Sequence, residues 1–264
     1  MPTSLKKVFI ITDFGYKDYY VAAMKSVILD LYPYNITFID VTHEVEPGDI
    51  LDASFIAWQL SLLNIYNSGV LVVVDPGVGS QRDAILIECE KNNVLVGPDN
   101  GVLYPLASTL GIKKIYYIDY TNQKYFVNVS QTFHGRDVFA RALGLYFGGD
   151  REFLKEKENI VDNDIFIYSY GRDRIVFKVL HIDRFGNVIT NIPCYEEIPN
   201  KINLWAKGKV FLLSKVNTFS ELKRDELGLL CGSSGFYEIV SYLKPASEVI
   251  KLRSGDTAMI ILSS

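Results

Sequence analysis

The chain has 264 residues, 48% of them hydrophobic and 13% aromatic, enough to bury a substantial core as one large domain or two modest ones. A formal net charge of −4 without a Lys/Arg run argues against nucleic acid as a partner. The longest apolar runs, VFII at 8–11 and GVLVVV at 69–74, fall far short of the ~18–20 residues of a membrane span, and the stretch after Lys6 and Lys7 lacks a signal-cleavage pattern, so a cytoplasmic protein without a membrane segment is expected.

In chain order, VFIIT at 8–12 reads as a strand ending at DFG, and 18–32 carries apolar positions at helical spacing up to Pro33. ITFIDVT at 36–42 follows as a strand, 49–66 as a helix, and GVLVVVDPGVG at 69–79 as a buried strand that turns sharply. AILIEC at 84–89 and NVLVGPDNGVL at 93–103 continue the β pattern, and VFARALGLYF at 138–147 forms a helix stopped by Gly148 and Gly149. This alternation predicts an α/β N-terminal domain with a largely parallel sheet, whose chemistry gathers in loops at the strands' carboxyl ends. After the charged segment at 151–159 come short strands: RIVFKVLHID, NVITNI, KVFLLS, FYEIVSYL and TAMIILS at 257–263. They predict a small all-β, barrel-like C-terminal domain, with the boundary placed between residues 165 and 166.

Cys89, Cys194 and Cys231 are too few and too far apart for a disulfide framework, and none sits in a C-x-x-C pair, so buried free thiols are expected. PGVGSQR at 76–82 is neither a Walker loop nor a full G-x-G-x-x-G; it reads as a tight turn that returns Arg82 toward Asp75. An ordinary turn with a surface ion pair explains that segment equally well. His134, in QTFHGRDVFARA at 131–142, lies in a loop running into a helix, whereas His43 and His181 are most simply structural. Three scattered histidines without H-E-x-x-H predict no metal site. Asp13, Asp18 and Asp183 stand at loop ends where carboxylates cap helices and turns, Asp18 as a candidate N-cap.

Taken together, ITDFGYKDYY, VDPGVGSQR, VGPDNGVLYPL, TFHGRDVFA and IDRFGNVITNI, in this order, closely resemble the S-adenosyl-L-methionine hydroxide adenosyltransferase family, the adenosine-forming hydrolases of that substrate. The resemblance runs from Thr12 to about Asp256. It implies an α/β domain followed by a β-barrel-like domain, a homotrimer with active sites at subunit interfaces, and S-adenosyl-L-methionine as substrate with no cofactor. It places the water-activating set on Asp75, Arg82 and His134, and the ribose carboxylate on Asp13. Asp18, Asp183 and Asn187 match positions around the methionine portion, Phe133 and Phe185 match apolar lining, and Ser233 and Ser234 match a segment on the adenine side. Gly48 stands where halogenating relatives carry a stacking tryptophan, and YLKPASE at 242–248 departs from the usual small-residue pattern. The nearest alternative keeps the substrate and exchanges hydroxide for a halide, but those relatives lack the Asp and His of the water-activating set, whereas this chain has Asp75 and His134; a non-catalytic binder of S-adenosylmethionine or adenosine is the next alternative.

Overall fold

The computed structural model describes residues 6–262. Its chain divides into two compact units, Met1–Asn163 and Asp164–Ser264. No helix among the described residues is long and apolar enough to cross a membrane.

The first unit is built on seven strands: β1 (Lys6–Thr12), β2 (Ile36–Thr42), β3 (Ser68–Val73), β4 (Ala84–Cys89), β5 (Val94–Pro98), β6 (Ile112–Ile118) and β7 (Leu154–Lys157), in the order β2-β1-β3-β5-β4-β6-β7. The pairs β1–β2, β1–β3 and β3–β5 are parallel, while β4 runs antiparallel to β5 and β6, and β7 antiparallel to β6. Parallel order therefore holds on the side that carries the DFG and DPGVG loops. Successive side chains of a strand point to opposite faces, and each face acquires its own core. Val8, Ile10, Leu71 and Val73 pack with Met24 and Ile28 of α1 (Tyr20–Leu31). Phe9, Ile11, Val70 and Val72 pack instead with Ala53 and Ala57 of α2 (Ile50–Gln59) and with Leu106 of α3 (Tyr104–Leu110). Full burial on both sides explains why β3 reads as a continuous apolar run.

Asp49 caps α2 by accepting the Asp52 N–H at 3.0 Å. Asp18 does not cap α1: the N-cap position is Tyr19, without a side-chain hydrogen bond, and Asp18 is exposed. A π-helical turn over Gly135–Ala140 leads into α4 (Arg141–Gly148), which packs on α1 and ends at Gly149 in the left-handed region, φ 101°.

The second unit holds β8 (Ser169–Tyr170), β9 (Arg174–Ile182), β10 (Val188–Pro193), β11 (Lys201–Ala206), β12 (Lys209–Lys215), β13 (Leu227–Cys231), β14 (Phe236–Ser241) and β15 (Thr257–Ile261), with the short helix α5 (Ala246–Ile250). Strand order is β10-β14-β13-β12-β11-β15-β9-β8, and a further β9–β10 pairing closes seven of these strands into a barrel. The predicted last strand stops at Ile261, and Ser263 lies outside the described residues. The thiol expectation needs correcting. Cys194, just past β10, and Cys231, at the end of β13, form a disulfide with Cα atoms 5.5 Å apart, and Cys89 is the free, buried cysteine. Strand β14 pairs with β10 on one side and β13 on the other, which brings together two residues that are 37 apart in sequence.

Candidate active site

In the first unit, Asp13 follows β1 directly and Asp75 lies two residues beyond β3, so both stand at the carboxyl edge of neighbouring parallel strands. After Asp75 the chain reverses through two turns, Val78 N–H to Asp75 O (3.2 Å) and Ser80 N–H to Gly77 O (3.0 Å). Gly79 has φ +77°, and a Cβ there would lie 2.8 Å from the Gln131 carbonyl, so this loop packs closely on the segment that precedes His134. Arg82 thereby returns to Asp75. Its Nε donates to both carboxylate oxygens at 2.9 and 3.0 Å, and its Nη2 donates to Oδ2 as well. The same Nη2 donates to His134 Nδ1 at 2.8 Å. The pair is buried, with side-chain exposures of 9% for Arg82 and 6% for Asp75. Phe139 lies beneath the guanidinium, 5.1 Å from Cζ to ring centroid, and Tyr120 flanks the imidazole at 5.3 Å.

These bonds fix the protonation pattern. A guanidinium can only donate, so His134 Nδ1 must accept, and the neutral ring carries its proton on Nε2. Burial, helped by the neighbouring Arg82 charge, holds the His134 pKa below 6.5 and keeps the ring neutral. Two N–H donors of the cluster, His134 Nε2 and Arg82 Nη1, are buried without a hydrogen-bond partner among the described residues. Donors left so cost free energy and mark a place built for an acceptor.

Asp13 is half-buried and takes the Gly48 N–H on Oδ2 at 2.9 Å. Burial raises its carboxyl pKa, with a smaller push from the Asp75 charge, while the Gly48 bond opposes the shift. Its loop is shaped by His43: Thr12 Oγ1 lies 2.8 Å from His43 Nδ1 and accepts the Phe14 N–H, and the His43 carbonyl accepts the Gly15 N–H at 2.7 Å. Phe133 joins a cluster with Phe14, Tyr19 and Tyr20, ring centroids 5.0–6.3 Å away, with Arg136 over its face. Tyr19 remains 62% exposed in this cluster, and Tyr16, which meets the His43 ring edge-on at 4.8 Å, is exposed to the same degree; the sequence analysis missed both although YKDYY signals them.

In the second unit Asp183, Phe185, Asn187 and Ser233 line one cavity of about 940 Å³, together with Glu238, Ser241 and Tyr242, which the sequence analysis also missed. The Asp183 carboxylate closes its own turn, accepting the N–H groups of Phe185 (2.9 Å) and Asn187 (2.8 Å) and the Asn187 side-chain amide (2.8 Å). Phe185 is 78% exposed. Ser234 is half-buried, and its Oγ has no hydrogen-bond partner among the described residues.

Two family profiles match this chain: the SAM hydroxide adenosyltransferase N-terminal domain over residues 8–150 and the corresponding C-terminal domain over 177–259. The chain belongs to the SAM hydroxide adenosyltransferase family. It is 35% identical to the (R)-S-adenosyl-L-methionine hydrolase of Methanocaldococcus jannaschii, covering 96% of this chain and 95% of that one. A Salinispora arenicola protein of the same name is 37% identical over 93% of this chain and 94% of its own. Among solved structures, an uncharacterized conserved protein from Thermotoga maritima superposes with a TM-score of 0.84 at 31% identity, covering 96% of this chain and 99% of that one.

Proposed function

We propose that this member of the family hydrolyses S-adenosyl-L-methionine to adenosine and L-methionine, with Asp75, Arg82 and His134 activating the water that attacks ribose C5′. The observation that carries the reading is the hydrogen-bonded chain Asp75–Arg82–His134 with its two unpartnered buried donors.

The sulfonium leaves as a neutral thioether without protonation, so the difficult step is making a nucleophile. His134 Nδ1 is committed to Arg82, and its Nε2–H can only donate; the imidazole therefore holds the attacking oxygen rather than taking its proton. Arg82 Nη1 supplies a second donor, and the two together favour hydroxide over water as a preorganised electrostatic cradle. Asp75 is the one anion of the three and keeps lone-pair capacity beyond its bonds to Arg82, so the proton passes there. Hydroxide and sulfonium neutralise each other in the transition state, and exclusion of bulk water strengthens that attraction.

Asp13 Oδ1, free of the Gly48 bond, accepts from the ribose hydroxyls. Phe133 and Phe185 supply apolar surface, Asp18, Asp183 and Asn187 serve the methionine portion, and Ser233 and Ser234 the adenine side. We also propose the cytoplasm as location, no additional cofactor, and a homotrimer with active sites at subunit interfaces; a mass of one or two chains by sedimentation equilibrium would exclude the trimer. The relatives are named for the (R) epimer, which we extend to this protein.

Turnover in oxygen-18 water tests the chemistry. The expected product is adenosine labelled at the 5′ oxygen, with the rate reduced roughly 100-fold or more in His134→Ala and Asp75→Ala while both variants stay folded. Unlabelled adenosine would exclude attack by solvent, and full turnover in both variants would remove the assigned roles.

A further inference from the structure

Thr12, the last residue of β1, and His43, the first residue after β2, are fully buried polar side chains on neighbouring parallel strands, and neither takes part in the Asp75–Arg82–His134 chain. His43 holds the Asp13 loop from two sides. Its Nδ1 lies 2.8 Å from Thr12 Oγ1, which accepts the Phe14 N–H at 3.2 Å. Its carbonyl accepts the Gly15 N–H at 2.7 Å, where the chain turns through the left-handed region at φ +63°. Asp13 stands between these two anchors, with its own Oδ2 held by the Gly48 N–H at 2.9 Å.

The direction of the bonds follows from the surroundings. His43 Nε2 lies 3.2 Å from Asp40 Oδ1, and Lys25 Nζ donates to Asp40 Oδ2 at 2.6 Å. Burial opposes the Asp40 charge, but Lys25 and His43 outweigh it and hold the carboxyl pKa below its ordinary value. At His43 burial prevails over the pull of Asp40, lowers the pKa and keeps the ring neutral. An anion beside Nε2 selects the tautomer with its proton on that nitrogen. The Nε2–H points off the line to the carboxylate, so the contact is one of charge rather than a full hydrogen bond. Nδ1 is then an acceptor, so Thr12 donates its hydroxyl proton to the ring and turns a lone pair to the Phe14 N–H. A buried imidazole and hydroxyl cost desolvation that an apolar pair would not. What they secure here is the aim of a backbone segment: the peptides on both sides of Asp13 are fixed, which leaves Oδ1 one direction to face.

We propose that His43 is a positioning residue for ribose recognition, holding the peptides that flank Asp13 through Thr12 and through its own carbonyl, and so aiming Asp13 Oδ1 at the vicinal hydroxyls of the substrate. The proposal rests on the reading of Asp13 as the ribose carboxylate, and it deepens that reading by naming the group that fixes its direction and with it the preference for a ribonucleoside.

Calorimetry with adenosine and with 2′,3′-dideoxyadenosine, which lacks only the two hydroxyls, tests it in the full-length protein. The wild type should bind adenosine roughly 10- to 100-fold more tightly than the dideoxynucleoside, as expected for hydrogen bonds to a charged group. His43→Leu fills the space and keeps the carbonyl but ends the bond to Thr12; it should cut the preference to about threefold or less while leaving the dideoxyadenosine affinity unchanged. His43→Asn, whose side-chain oxygen can accept in place of Nδ1, should restore most of the preference, a rescue that mere space-filling would not give. In turnover, His43→Leu should raise KM for S-adenosylmethionine roughly 10-fold while kcat changes less. Thr12→Val removes the same bond from the other side without touching the ring and should reproduce the loss, so the test stands even if His43→Leu does not fold. A preference unchanged in the Leu and Val variants, equal weakening of both nucleosides, or an Asn variant no better than Leu would each overturn the proposal. A wild type without the preference would overturn the ribose assignment of Asp13 and the proposal with it. A preference that the variants lose, in a protein that does not hydrolyse S-adenosylmethionine, would overturn the assigned reaction and leave His43 in its role.

Discussion

Replacing Asp75 by alanine tests whether the candidate site is held by a buried ion pair. The two side chains are 6% and 9% exposed, and three N–H···O contacts join them, so the substitution strands a guanidinium in the interior of the first unit. Breaking such a pair from one side costs about 3–5 kcal/mol. The Phe139 ring beneath Arg82 is in place before and after the substitution, so its attraction cancels and the full cost of about 3–5 kcal/mol remains. Urea denaturation measures it: with a slope of about 2 kcal/mol per molar for a unit of this size, the midpoint should fall by about 1.5–2.5 M at unchanged slope. Adding Arg82→Met to Asp75→Ala should recover part of the loss, because the stranded charge goes with it. A loss below about 1 kcal/mol, or no recovery in the double variant, would mean that the pair behaves as an exposed one and that the site is not preorganised.

Two further outcomes follow from the same geometry. His134 has a native pKa below the 6.5 of an unfolded chain, so its contribution to stability is complete above pH 6.5 and is lost as the pH falls through the native value; kcat/KM should decline through that same native value, and an NMR titration in which the folded ring protonates at or above pH 6.5 would contradict the neutral-ring assignment. The Cys194–Cys231 bridge spans 37 residues, so reducing it should destabilise the barrel by up to about 4 kcal/mol, and thiol titration of the unreduced, denatured protein should find only Cys89; three free thiols would remove the bridge.

Much of the first unit is legible because its strands are buried on both faces: VFII and GVLVVV stand out as apolar runs, and the DPGVG turn announces where Arg82 must come back. The weaker pieces escape for physical reasons. Helix α3 starts with Tyr104-Pro105 and runs only seven residues, too few to display a period, and β13, LGLLC, is too short to alternate clearly. The cysteine pairing depends on which strands flank β14, a matter of barrel topology that spacing along the chain does not carry. Seven residues separate Asp75 from Arg82 and a turn explains their meeting, but 52 separate Arg82 from His134, and only the resemblance joined them before the structure did. Asp18 has the right chemistry for an N-cap, yet the helix begins one residue too late to use it. Glu238 passes unnoticed inside FYEIV because a strand on a barrel's outer face is expected to carry polar side chains.

The wide turn at Gly135–Ala140 makes the aim of the imidazole a question of helical phase. A π-helical turn amounts to one residue too many in an otherwise regular helix. Deleting one of those six would remove the surplus and let an ordinary coil join His134 to α4 in nearly the same phase, because six residues of a wider turn cover about the arc that five cover at about 100° each. The core side chains of α4 would keep their seats and His134 would stay near its guanidinium, so at this place the chain absorbs a lost codon that elsewhere in a helix would turn every upstream side chain away.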